Sequence, residues 1–228
     1  RMFYEAEQTL LKNKDTNIAF IEAPTGAGKS NLAMNCSLKL LDKNINKIFY
    51  VYPFNTLVEQ NYDTLEKIYG QTDIFKSIAV INSITPIPLN GTRKFWENLD
   101  KEENEKFYQK ALLDRQFLNY PFILTTHVNL FQIMFGCERE AAISFYQLAG
   151  SVAVLDEIQS YKNVLWTEIM MFLQCYSRLL NMKIIIMSAT LPKLDMLTGN
   201  HEKVVNLIEN PEKYFQDGRF KKRVALSY

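Results

Sequence analysis

Short apolar runs alternate along this chain with segments whose apolar residues recur at helical spacing. The runs fall at 18–21 (Ile-Ala-Phe-Ile), 47–52, 78–81, 122–125, 151–155 and 183–187. Most are apolar throughout rather than alternating, the pattern of strands buried on both faces. Between them, Phe3, Ala6, Leu10 and Leu11 predict a helix over residues 2–13. Further helices are predicted after Lys29-Ser30, from Asn55 or Thr56 as N-cap to about Tyr69, over 128–135, and over 164–181. The Met and Leu stripe of that last segment reads as core. Residues 83–92 hold two prolines and a glycine and read as loop. Residues 93–117, highly charged between about Glu97 and Lys110, read as one or two exposed helices, and the basic stretch 219–224 as a final strand or linker. Strands alternating with helices predict an α/β fold, a mostly parallel sheet covered by helices on both faces.

The first apolar run leads into Ala23-Pro24-Thr25-Gly26-Ala27-Gly28-Lys29-Ser30, and a helical segment follows. Strand, glycine-bearing loop and helix opening with Lys-Ser is the context a phosphate-binding loop requires, here in the relaxed form with Ala23 where the strict pattern has glycine. Thr25, Gly26, Ala27 and Gly28 form a nest of inward N–H groups, Lys29 reaches the β- and γ-phosphates, and the Ser30 hydroxyl suits Mg²⁺. ATP with Mg²⁺ is therefore the expected ligand. Gln8, upstream on the first helix, reads either as an adenine contact or as an ordinary helical glutamine.

Parallel sheets bind ligands outside the carboxyl ends of their strands. Ala23, Pro53, Thr125, Asp156 and Ser188 all lie just past predicted strand ends. Asp156-Glu157 after the apolar run 152–155 places a second Mg²⁺ ligand, Asp156, and a candidate catalytic base, Glu157, in the same sheet as the phosphate loop. The plainer reading of an acidic pair there is a cap on the next helix.

Composition narrows the rest. The 228 residues leave room for one large α/β domain or two small ones. With 26 Lys+Arg against 25 Asp+Glu, net charge favours no partner, so nucleic-acid binding has to come from a local surface. Cys36, Cys137 and Cys175 are far apart and read as reduced thiols, with neither a disulfide framework nor a zinc site. No run approaches the length of a membrane span, so no membrane partner and a cytoplasmic location are expected. The chain opens at Arg1 inside a helical pattern, as a piece of a longer protein would.

Several stretches together resemble superfamily 2 helicases. Asp156-Glu157-Ile158-Gln159 is a variant of their acidic box, and Ser188-Ala189-Thr190 looks like the motif that couples hydrolysis to strand movement. The stretch from Tyr52-Pro53-Phe54-Asn55-Thr56 to Gln60, and Leu124-Thr125-Thr126-His127-Val128-Asn129-Leu130, resemble two strand-contacting motifs. The wording Leu155-Asp156-Glu157-Ile158-Gln159-Ser160-Tyr161, with Met187-Ser188-Ala189-Thr190-Leu191-Pro192, is similar to the CRISPR-associated helicase–nuclease of type I systems.

That resemblance implies the first of two RecA-like ATPase domains over residues 1–217, with 218–228 opening a linker to the second. It implies Glu157 as catalytic base with Lys29 and Asp156, and Gln159, Ser188 and Thr190 as coupling residues. It implies contacts from Pro53, Phe54, Asn55, Thr56, Thr125 and Thr126 to the backbone of single-stranded DNA; the two threonines read equally well as helix caps. Implied partners are the second RecA-like domain, an HD nuclease domain or subunit, and the RNA-guided surveillance complex. His127 and His201 are the only histidines, too few and too far apart for the HD metal site itself. An RNA helicase of the same superfamily, or a nucleotide-gated binding module without turnover, are the rival readings.

Overall fold

The computed structural model describes residues 1–73, 75–82, 101–137, 139–160, 165–189 and 204–218. The expected loop at 83–92, the start of the charged segment, Tyr161, Thr190, His201 and the basic tail lie outside them. Two compact units are formed, one by residues 1–45 with the described residues from 152 onward, the other by 46–151.

In chain order, the first unit opens with α1 (Met2–Lys12), β1 (Ile18–Glu22) and α2 (Lys29–Leu40). The second unit holds β2 (Lys47–Tyr52), α3 (Asn55–Tyr69), β3 (Ile78–Ile81), α4 (Lys101–Gln116), β4 (Phe122–Thr126), α5 (His127–Phe135) and α6 (Arg139–Tyr146). The chain then returns to the first unit through β5 (Ser151–Asp156), α7 (Trp166–Leu179), β6 (Lys183–Ser188), β7 (Val204–Asn206) and α8 (Glu212–Phe215). The short elements α6, β7 and α8 carry no periodicity long enough to announce them in the sequence.

Every described pairing is parallel. In the first unit the order is β5-β6-β1-β7, with Glu22 opposite Ser188 and Asp156 opposite Met187. Val152–Leu155 and Ile184–Met187 are fully buried, as strands covered on both faces must be. In the second unit β4 lies between β3 and β2, with Ile81 opposite Thr125 and Tyr52 opposite Thr126. In each unit, register therefore brings the carboxyl ends of neighbouring strands to one edge.

Helix α7 buries a single stripe. Trp166, Ile169, Met170 and Leu173 of α7 face inward, at the i, i+3, i+4, i+7 spacing of a single face. Met171, Phe172 and Leu179 of the same helix are exposed, so only part of the Met and Leu stripe is core. Helix α1 is fixed at two places. Glu7 accepts from Asn35 of α2 at 3.3 Å and pairs with Lys39 at 3.1 Å. Glu5 accepts from the Glu209 backbone at 3.1 Å and from the Tyr214 hydroxyl at 2.6 Å. Among the described residues no helix is long and apolar enough to cross a membrane.

Candidate functional site

Three strand ends of the first unit build one site. Strand β1 runs out at Glu22 into the loop 23–28, whose turn needs left-handed backbone at Gly26 (φ 76°) and Gly28 (φ 86°). The nearest atom to a side chain at Gly28 would be a ring carbon of Phe3 at 3.6 Å, ordinary contact, so backbone conformation rather than space calls for glycine there. Gly28 is also the N-cap of α2, with no side chain capping it, which leaves the first amides of that helix to the loop. Ala23 is buried and its amide meets the Ser188 carbonyl of β6 at 3.4 Å.

Lys29 is buried and turns back to donate to the Ala23 carbonyl at 3.0 Å. Burial pushes its ammonium pKa down, opposed by the fields of Glu157 and Asp156. The Asp156 carboxyl is pushed up to about 7, first by burial and then by Glu157, with Lys29 pulling the other way. Two adjacent carboxylates thus share one ammonium in a poorly hydrated neighbourhood, and bound positive charge would relieve them. Asp156 and the exposed Ser30 offer the hard oxygens that Mg²⁺ takes alongside water and phosphate. Among the described residues no group of three or more His, Cys, Asp and Glu could hold a metal. A cation here would draw most of its ligands from phosphate and water.

Glu157 has φ 50°, a left-handed conformation that costs a glutamate roughly 1–2 kcal/mol. Its amide donates to the Met187 carbonyl at 3.0 Å, and its carboxylate accepts from the Gln159 side-chain amide. Ile158, fully buried between them, anchors the short 3₁₀ turn Ile158–Ser160. The Gln159 Oε1 is buried with no hydrogen-bond partner among the described residues. Strain at Glu157 and an unmet acceptor on Gln159 are where a functional site stores free energy. Ser188 is fully buried at the end of β6. Gln8, half-buried on α1, stands on the helix whose Phe3 ring lies beside Gly28. Thr190 is outside the described residues.

The second unit presents its own carboxyl edge. Pro53 follows β2 half-buried, and Phe54 is 61% exposed. The expected N-cap at Asn55 or Thr56 is corrected: the cap residue is Phe54, in extended backbone and without a side-chain cap bond. Leu57 and Val58 amides both reach the Phe54 carbonyl, so the helix begins one residue earlier than the polar pair suggested. Asn55 keeps its Oδ1 buried without a hydrogen-bond partner among the described residues, while Thr56 is exposed. Thr126 caps α5, accepting from the Asn129 amide at 3.3 Å. Thr125 is 1% exposed and its hydroxyl turns inward, donating to the Ile81 carbonyl at 2.5 Å and accepting from Asn129 at 2.8 Å. Its hydroxyl is spent inside the protein. Arg115, in a segment read from its charge as solvated, is half-buried and donates to the Val80 and Asn82 carbonyls.

A profile of DEAD/DEAH box helicases matches residues 4–197, most of the chain. The chain belongs to the DEAD/DEAH box helicase family. Among curated proteins, the CRISPR-associated nuclease/helicase Cas3 of Haloferax volcanii is 23% identical to this helicase domain over 188 residues, 78% of the chain. The match spans only 19% of that relative's length. Among solved structures, T. fusca Cas3 with ADP superposes with a TM-score of 0.57 at 20% identity, over 82% of this chain and 21% of that one. The DUF1998 helicase MrfA bound to DNA gives 0.56 at 18%, over 90% and 25%. These likenesses show the RecA-like helicase fold. The resemblance read from the motifs, to the CRISPR-associated helicase–nuclease, is met by both a curated relative and a solved structure.

Proposed function

We propose that this helicase domain is the first motor half of an ATP-dependent single-stranded-DNA translocase acting in CRISPR interference. Residues 1–217 form the RecA-like half, and 218–228 begin the linker to the second. The observation that carries this reading is Lys29 of the phosphate loop held in the field of both Asp156 and Glu157. That arrangement suits a phosphoryl group entering between ammonium and carboxylates.

On this reading, Lys29 leaves the Ala23 carbonyl to meet the β- and γ-phosphates, and the amides of Thr25–Ser30 hold their oxygens. Ser30 and Asp156 would hold Mg²⁺, which when bound neutralises charge building on the phosphates. Glu157 accepts a proton from the attacking water, aimed by its left-handed backbone and the Gln159 amide. Ser188 stands opposite Glu22, the residue entering the phosphate loop, so a shift of β6 is felt there. With Thr190 and Gln159 it is assigned to coupling, and Gln8 to adenine.

The strand contacts fall to the second unit: exposed Phe54 and Thr56, Pro53 and Asn55 beside them, and the backbone around Thr125 and Thr126. Such contacts to phosphates are sequence-independent. The second RecA-like domain, an HD nuclease domain or subunit and the surveillance complex complete the proposed assembly, in the cytoplasm. The curated relative's description as a CRISPR-associated nuclease/helicase supports these assignments.

ATP hydrolysis by the full-length protein, with single-stranded DNA, single-stranded RNA or neither, tests the proposal. Stimulation by DNA alone is expected. Stimulation by RNA would replace it with an RNA helicase, and a flat response with a nucleotide switch.

A further inference from the structure

Three successive carbonyls at the end of β3 are each held by a side chain from elsewhere in the second unit. Arg115 of α4 donates to Val80 O at 3.2 Å and to Asn82 O at 2.6 Å. Between them, Ile81 O accepts from Thr125 at 2.5 Å and from Asn129 of α5 at 3.3 Å. Asn129 also donates to the Thr125 hydroxyl at 2.8 Å, closing the set.

The set has no simple packing purpose. Burial pushes the Arg115 guanidinium pKa down, and among the described residues no carboxylate pairs with it. A half-buried guanidinium satisfied only by carbonyls is a poor way to end a strand, because its desolvation is not offset by an ion pair. A cavity of about 440 Å³, lined by Ile81, Arg115, Asn129, Gln132 and Cys137 among others, flanks the same residues. Hydrogen bonds therefore hold the clamp on the side where the cavity leaves it without packed neighbours. Register puts the clamped Ile81 opposite Thr125, one residue before the cap of α5, and Thr126 opposite Tyr52, one residue before Pro53. The clamp sits on the edge formed by the ends of β3, β4 and β2.

We propose that Arg115 and Asn129 are positioning residues for strand binding, locking the carboxyl end of β3 so that the Thr125-Thr126 and Pro53–Thr56 backbones stand at fixed spacing for consecutive phosphates. The inference rests on the strand-contact reading above. Preorganised contacts of this kind set affinity through geometry, so loosening them weakens binding without removing a contact.

The test uses the full-length protein and an oligothymidylate. The concentration giving half-maximal ATPase stimulation is measured separately from the rate at saturation, with nucleotide affinity as the control on folding of the other unit. Arg115→Ala and Asn129→Ala are each expected to raise half-saturation about tenfold, with the saturated rate within about twofold. The double variant is expected to fall short of the product of the two, since both act on one segment. Arg115→Lys, which can meet one carbonyl but not both, should recover part of the loss. Should an alanine variant fail to fold, Arg115→Lys and Asn129→Gln, which keep a donor at each position, carry the same measurement. Unchanged half-saturation in folded variants, or a fallen saturated rate at unchanged half-saturation, would overturn the inference. Wild-type protein that ignores both DNA and RNA would overturn the strand-contact reading itself, and the inference with it.

Discussion

Lys29 donates to the carbonyl of Ala23, six residues back, so the glycine loop 23–28 is closed by the lysine that follows it. The bond satisfies a buried ammonium that the carboxylates of Asp156 and Glu157 attract but, among the described residues, do not reach as hydrogen-bond partners. On the proposed reading, phosphate takes over from that carbonyl. Lys29→Ala is therefore expected to lower nucleotide affinity by at least about tenfold, the loss of one charge-assisted contact. The fold should survive, with the melting temperature shifted by no more than a few degrees. Isothermal titration and a thermal melt check both, and an unfolded variant would make the loop lysine structural.

On the proposed reading, Glu157 does the chemistry and Gln159 aims it. Glu157→Gln is expected to reduce ATP turnover of the full-length protein by roughly 10²–10⁴-fold while nucleotide still binds. Gln159→Ala releases the Glu157 carboxylate from its amide partner and should cost less, on the order of tenfold. Glu157→Gly should stabilise the fold by about 1 kcal/mol, because glycine adopts φ 50° without strain. An unchanged turnover in Glu157→Gln would remove the catalytic-base assignment.

The Asp156 carboxyl makes stability depend on pH. Its folded pKa, near 7, lies above the ordinary 3.8, so between those values the folded protein holds a proton that the unfolded chain has lost. Stability from this group is full below about pH 4 and falls as pH rises toward 7. Asp156→Asn should flatten that part of the profile and raise stability at pH 7.5 by about 1–3 kcal/mol, roughly 3–10 °C in melting temperature. Turnover should be lost in the same variant. Melts across pH 4–8 in the absence of nucleotide and divalent cations decide the sign.

Neighbouring threonines should respond differently to loss of their hydroxyls. Thr126→Ala removes the cap on α5 and is expected to cost about 1 kcal/mol. Thr125→Val keeps the shape but withdraws the donor from buried Ile81 O and the acceptor from Asn129, for about 1–3 kcal/mol. Urea denaturation ranks the two, and a larger loss for Thr126→Ala would contradict the network around Ile81.

Pattern alone determined six of the seven described strands, and why is plain: a strand buried on both faces has to be apolar throughout. Runs 47–52 and 78–81 became β2 and β3 with the same bounds. The loop at 23–28 was equally legible as a turn, since Gly26 and Gly28 stand where the backbone is left-handed. Tertiary structure decided the rest. Nothing local says that β1 lies between β6 and β7, or that the backbone of Glu157 is left-handed. The three-residue β7 is too short for any periodicity to show. Arg115 stands in a segment, 93–117, that reads as exposed helix, and partners more than thirty residues away, Val80 and Asn82, turn it inward. Thr125 and Thr126 are chemically alike in sequence, yet one is spent inside the protein and the other caps a helix. Burial and hydrogen-bond partners are set by chain segments distant in sequence, so these roles exist only once the sheet has assembled.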